Sequence, residues 1–201
     1  MRASLHRLLT FLAVVPLTAS LAFAQPPIPI TPDFPINTSS MGNRSAPDVA
    51  RNRNGATIIV WESDSQDGDG YGIYGRLFAD GTNGGTEILF PQNTMGDQRN
   101  PDASIAADGA FYVAWETPDM DGRGIAFRLY DANGQPIVGE RTANETEDGG
   151  QNSPATAIIE AGLEGVTGAW TLICVWEGPN GNDSDVFARI YQFFDDGSTF
   201  F

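Results

Sequence analysis

The amino-acid sequence predicts an all-β protein of three four-stranded antiparallel units, set as blades of a β-propeller or as an open propeller-like array. Three observations predict it. One residue pattern returns three times in the same order. Hairpin-type turn dipeptides punctuate the chain at short intervals. No stretch beyond residue 24 sustains a helical period.

The repeat begins at a proline. The first copy reads Pro47-Asp48-Val49-Ala50, then Ile58-Ile59-Val60-Trp61-Glu62, then Gly72-Ile73-Tyr74-Gly75-Arg76-Leu77-Phe78. The second runs Pro101-Asp102-Ala103-Ser104-Ile105, Phe111 to Trp115-Glu116, and Gly124-Ile125-Ala126-Phe127-Arg128-Leu129-Tyr130. The third has Pro154 to Ile158, Leu172 to Trp176-Glu177, and Asp185-Val186-Phe187-Ala188-Arg189-Ile190-Tyr191. Proline to tryptophan spans 14, 14 and 22 residues, so the third copy carries an insertion around 160–168, read as a hairpin extension. β-branched and aromatic residues in partial alternation make each segment a strand. Asn54-Gly55, Asp80-Gly81, Asp108-Gly109, Asn133-Gly134 and Asp196-Gly197 supply the turns. A fourth strand is expected at Glu87–Phe90 and, more weakly, at Pro136–Glu140. The units are placed at about 36–91, 92–142 and 143–201. In each, the tryptophan should fill the space between sheets while the adjacent glutamate points to the opposite face. Glu62, Glu116 and Glu177 with Arg76, Arg128 and Arg189 read as a repeated structural salt bridge or strand-end cap, because packing recurs in every repeat whereas function seldom does.

Residues 1–24 read as a cleavable signal peptide: Arg2, His6 and Arg7 precede an apolar run, and Ala22-Phe23-Ala24 is a small-x-small cleavage site. The expectation is a secreted, periplasmic or cell-surface protein, with residues 25–35 a leading segment before the repeats. All basic residues but His6 are arginine, against 17 Asp and 9 Glu. Cleavage takes the formal net charge from −15 to −17. Such a charge argues against nucleic acid and against an anionic membrane surface. His6 is the only histidine and lies in the leader, so no histidine serves as base or zinc ligand in the exported chain. Cys174 is the only cysteine; within Leu172-Ile173-Cys174-Val175-Trp176 it reads as a small buried hydrophobe.

The run Val60-Trp61-Glu62-Ser63, Asp67-Gly68-Asp69-Gly70-Tyr71-Gly72-Ile73-Tyr74-Gly75-Arg76 and Phe78, closed by Asn93-Thr94, resembles a tandem repeat of large secreted bacterial proteins. Those are calcium-associated, adhesin-like proteins of the RTX type. The second copy keeps Asn100-Pro101, Trp115-Glu116 and Asp121-Gly122, whereas the third replaces the acidic loop by Asn180-Gly181-Asn182-Asp183-Ser184-Asp185. The resemblance spans nearly all of residues 36–201. It implies a propeller-like fold and an adhesive role.

The loop after each Trp-Glu is the candidate site. It offers Asp64, Asp67 and Asp69 in the first copy, Asp119 and Asp121 in the second, and Asp183 and Asp185 in the third. Carboxylates alternating with glycines can converge on Ca²⁺, which takes about 6–8 oxygens, although the spacing is not that of an EF-hand. The competing reading is a solvated acidic hairpin. A binding or scaffolding module for a surface glycan or protein needs only exposed aromatics and loop amides, for which Tyr71, Tyr74 and Phe127 are candidates. The alternative is a propeller-type glycoside-active enzyme, which would need two positioned carboxylates. No catalytic motif marks such a pair, so the chain is expected not to be an enzyme.

The third copy shows no fourth strand in its sequence. Phe34-Pro35-Ile36-Asn37-Thr38 parallels Phe90-Pro91-Gln92-Asn93-Thr94 and could close the last unit. In a homodimer, each such segment would complete the partner's last sheet.

Overall fold

The computed structural model describes residues 31–79, 84–145, 149–160, 169–194 and the backbone of 199–200. The expected signal peptide and the hairpin extension over 161–168 lie outside them. Residues up to Phe34 separate as a unit of their own, of which 31–34 form no strand.

From Pro35 onward the described residues hold twelve β-strands and no α-helix. The first unit comprises β1 (Arg44–Arg51), β2 (Thr57–Asp64), β3 (Tyr71–Phe78) and β4 (Ile88–Leu89). The second comprises β5 (Arg99–Ile105), β6 (Phe111–Pro118), β7 (Arg123–Tyr130) and β8 (Arg141–Thr142). The third comprises β9 (Asn152–Glu160), β10 (Ala169–Asn180), β11 (Asp183–Phe194) and a two-residue β12 (Thr199–Phe200). Each unit is one antiparallel meander in sequence order. The all-β, three-unit reading holds, but the three sheets form an open array and no closed propeller.

Packing explains the near-continuous apolar runs of β2, β6 and β7, which are buried on both faces. Ile58, Val60 and Ile73 of the first sheet meet Phe111, Val113, Trp115 and Tyr130 of the second. The opposite face of the second sheet, with Tyr112, Ala114, Ile125, Phe127 and Leu129, meets Leu172, Cys174, Trp176 and Tyr191 of the third. Trp61, Trp115 and Trp176 occupy matching strand positions and are all buried. The Phe111 and Tyr130 rings stack at 4.9 Å across β6 and β7. Burial pushes the Cys174 thiol up to about 11, in keeping with the apolar role expected for it.

The prolines mark a second regularity. Ala46, Asn100 and Ser153, each preceding the repeat proline, have φ of 44°, 48° and 55°. In each unit the register of the first strand against the second slips at this place, a β-bulge. Proline is tolerated here because β1, β5 and β9 are the edge strands of their sheets.

Two expectations need correction. The fourth strand of the second unit is not at 136–140 but at Arg141–Thr142. A turn closed by Asp131 N–H to the Gln135 carbonyl, followed by Pro136, leaves only an isolated bridge from Tyr130 to Pro136 and delays the ladder. The third unit does have a fourth strand, because Thr199 and Phe200 pair with Phe193 and Gln192.

Candidate functional site

The acidic loops shorten along the chain: residues 65–70, 119–122 and 181–182 separate the paired strands. In the first, Ser65 donates its N–H to the Gly70 carbonyl, and its Oγ–H goes to Asp64 Oδ1. Asp69 Oδ2 accepts the N–H of Gly96, at 3.0 Å, in the segment leading to the second unit. Asp121 Oδ2 accepts the N–H of Gly149, at 2.9 Å, in the segment leading to the third. One aspartate of each of the first two loops is therefore an inter-unit clamp.

The other aspartate turns inward. Asp67 Oδ1 accepts the Asp69 N–H and Asp119 Oδ1 the Gly122 N–H, while both Oδ2 atoms are buried without a hydrogen-bond partner. Gly72 and Gly124 make the recess: a Cβ on Gly72 would overlap the Asp67 carboxylate, and one on Gly124 would lie 3.1 Å from Asp119 Oδ2. The third unit has Asp185 at this strand position and no recess. There Asp183 and Asp185 are exposed on a tight hairpin, with Asn180 Nδ2 donating to Asp185 Oδ2 at 2.5 Å. No three acidic, cysteine or histidine side chains converge as a metal cage among the described residues. Each of the first two loops holds one buried carboxylate oxygen without a hydrogen-bond partner, far from a carboxylate cage of about 6–8 oxygens.

The Trp-Glu glutamates carry the strongest polar geometry. Glu62 is 3% exposed and accepts hydrogen bonds from Ser45 Oγ, Arg99 Nη1 (3.1 Å) and the N–H of Asn100 (2.8 Å). Glu116, also 3% exposed, accepts from Asn100 Nδ2, Arg123 Nη1 (3.1 Å) and the N–H of Ser153 (2.9 Å). The N–H groups served belong to the left-handed residues of the next unit's bulge. A third clamp repeats beside these: the Ala103 N–H donates to Asp48 Oδ2 and the Thr156 N–H to Asp102 Oδ2. Burial raises the Asp102 carboxyl above its ordinary range, although the hydrogen bonds from Thr156 pull the other way.

The expected ion pairing of Glu62 and Glu116 with Arg76 and Arg128 is corrected: their partners are Arg99 and Arg123. Glutamate and Arg76 or Arg128 face opposite sides of the sheet, by strand alternation. Arg76 Nη1 instead donates to the Ile36 carbonyl and Arg128 Nη1 to the Phe90 carbonyl, holding the segment that enters each unit. Two of the candidate surface aromatics are also core, Tyr74 at 6% exposure and Phe127 at 0%. Tyr71 lies under Arg99, whose Cζ is 3.3 Å from the ring centroid.

Sequence reading missed a cleft of about 290 Å³ in the third unit. Its walls include Trp176, Phe187, Arg189, Glu145 and Gln151. The Trp176 and Phe187 rings lie nearly parallel, 18° apart with centroids at 6.3 Å, and Arg189 forms an ion pair with Glu145. The available signal was Phe187 opposite Trp176, where the second unit has Ala126; the first unit has Tyr74 there, but buried. Nothing in the sequence marked Glu145.

No protein-family model matches this sequence, and no curated protein matches it. Among solved structures, it is similar to an endo-arabinase from Bacteroides thetaiotaomicron VPI-5482, at 13% identity and a TM-score of 0.45. The likeness covers 75% of this chain and 57% of that one, so this chain spans little more than half of that protein.

Proposed function

We propose that the chain is a secreted, non-catalytic β-repeat module that binds a glycan or protein ligand in the Trp176–Phe187 cleft, the rest of the array serving as scaffold. The observation that carries this reading is a break in repetition. Buried Glu62 and Glu116 and the clamp residues Asp48, Asp69, Asp102 and Asp121 are all engaged in joining units. The residue opposite the tryptophan is buried Tyr74 in the first unit and Ala126 in the second, whereas Phe187 is 38% exposed and lines the cleft, and packing repeats where function need not. Paired rings beside an Arg–Glu ion pair offer an apolar floor with polar edges, the make-up of small-ligand sites. Binding should be measured by calorimetry against soluble polysaccharides, with and without Ca²⁺. Phe187→Ala should weaken it by tenfold or more, while Tyr71→Ala leaves it unchanged. Release of reducing ends from any polysaccharide would replace this reading by the glycoside-active one.

A second reading, Ca²⁺ at the first loop, is favoured by the unpaired buried oxygen of Asp67 and its counterpart on Asp119. Its remaining donors would be backbone carbonyls and water.

A further inference from the structure

Repetition within the chain shows twice what covers the outward face of a unit. On the first sheet Ile58, Val60 and Ile73 are 0% exposed because the second unit lies on them, and Tyr112, Ala114 and Ile125 are 0% exposed under the third. The strand pairing puts Ile173, Val175 and Val186 at the same three positions of the third sheet. There Val186 is 75% exposed, and Ile190, the counterpart of fully buried Leu129, is 62% exposed. Glu177 keeps the glutamate that in the other two units is buried under three hydrogen bonds, and it is exposed. This face is one half of a joint.

The complementary half lies on the first unit. Val49 is 60% exposed where its counterpart Ala103 is 8% exposed, and Ile59 is half-buried where Val113 and Cys174 are fully covered. Ala46 has the same left-handed conformation as Asn100 and Ser153, whose N–H groups donate to the glutamates of the preceding units.

We infer that the outward face of the third unit binds the inward face of the first unit of a second copy of this chain, with Glu177 accepting the N–H of the partner's Ala46. The joint copies the two already inside the chain. Two copies of three units give six, within the roughly four to eight blades that close a propeller. The contact is head-to-tail, so a closed pair contains it twice. Residues 36–39 stay on their own first sheet, where Arg76 holds Ile36 and Glu87 holds Thr38 and Ser39, so sheet faces rather than an exchanged strand make the contact.

Sedimentation of the purified chain over a wide dilution range tests this. The expected result is a dimer that dissociates on dilution. The outward-face variant Val186→Asp/Ile190→Asp and the inward-face variant Val49→Asp/Ile59→Asp should each be monomeric, with circular dichroism and melting curves showing that they fold. Mixed, they should form a heterodimer, because each supplies the face the other lacks. A wild-type chain that is monomeric throughout overturns the inference. So does an inward-face variant that still dimerises alone, since that shows a symmetric contact between two outward faces. Failure of glycan binding would leave this result untouched, because the cleft lies off the outward face.

Discussion

The two internal joints and the outward face of the third unit use the same residue types in opposite surroundings. Glu116 is buried under three hydrogen bonds, whereas Glu177 faces solvent; Leu129 is fully covered, whereas Ile190 is mostly exposed. A residue in this repeat therefore takes its energetic role from the unit that follows it, as expected of an array whose units meet only their neighbours. Ala155 shows the same dependence from the other side. It stands where Asp48 and Asp102 clamp the next unit, and it clamps nothing.

The sharpest way to break this comparison is at the tryptophans. Trp115 lies between the first two sheets with 0% exposure, while Trp176 borders the cleft. Trp115→Ala should cost about 3–5 kcal/mol in denaturant unfolding, as large buried aromatics do. Trp176→Ala should cost less, since Trp176 is 7% exposed and borders the cleft. Equal costs would mean that the third unit is as firmly joined as the second.

The glutamates give the next effect. Glu116→Gln keeps one acceptor and leaves the Arg123 guanidinium or the Ser153 N–H short of a partner, a loss of about 1–3 kcal/mol. Glu177→Gln should change the stability of a monomer by less than about 0.5 kcal/mol. In the dimer inferred above, Glu177→Gln should weaken association instead. The two substitutions, compared by denaturation at low and high protein concentration, separate the internal joint from the free one.

How much of this was legible in the sequence follows from how local each signal is. The strands were, because β-branched and aromatic runs between Asn-Gly and Asp-Gly turns dictate hairpins on their own. So was the burial of the three tryptophans. The partners of Glu62 were not: alternation predicts its face correctly, but Arg99 lies on the following unit, and no local spacing announces a neighbour's arginine. The β8 strand was misplaced because Pro136-Ile137-Val138 reads as a strand, yet after the Asp131–Gln135 turn only Pro136 bridges Tyr130, and the ladder resumes at Arg141–Thr142. The acidic turns were legible as turns, but Asp64 ends β2 and Asp183 and Asp185 begin β11, so only Asp67, Asp69, Asp119 and Asp121 lie in the loops themselves. That Asp69 and Asp121 serve glycines near thirty positions away could be seen only once the sheets were stacked.

The loops offer a smaller test. On the calcium reading, chelator lowers the melting temperature of the wild type and leaves Asp67→Ala/Asp69→Ala unchanged. A wild-type curve indifferent to chelator removes the ion and leaves Asp69 as a clamp. The double variant then melts slightly lower under both conditions, because Gly96 loses its acceptor. Asp183→Ala/Asp185→Ala should be silent in either case, since both carboxylates are exposed.

The smallest expected effect concerns acid, and it lies at the segment entering the first unit. Glu87 Oε1 accepts the N–H groups of Thr38 and Ser39 and the Thr38 hydroxyl, while Oε2 accepts from Gln66 Nε2. Burial alone would raise its carboxyl, but these hydrogen bonds, led by that from the Thr38 backbone, outweigh it and hold the group below its ordinary value of 4.5. With a folded value below the unfolded one, the unfolded chain binds the proton first. Glu87 therefore contributes stability that is fully present above the ordinary carboxyl value and lost as pH falls through the lower folded one. Glu87→Gln should flatten the acid side of the stability curve in that window and lower the plateau above it. Glu140, which accepts the N–H groups of Gln92 and Asn93 in the corresponding place on the second unit, provides the comparison. If Glu140→Gln lowers the stability plateau as Glu87→Gln does, the two entry segments are held by the same kind of clamp; if it changes nothing, the clamp on the first segment stands by itself.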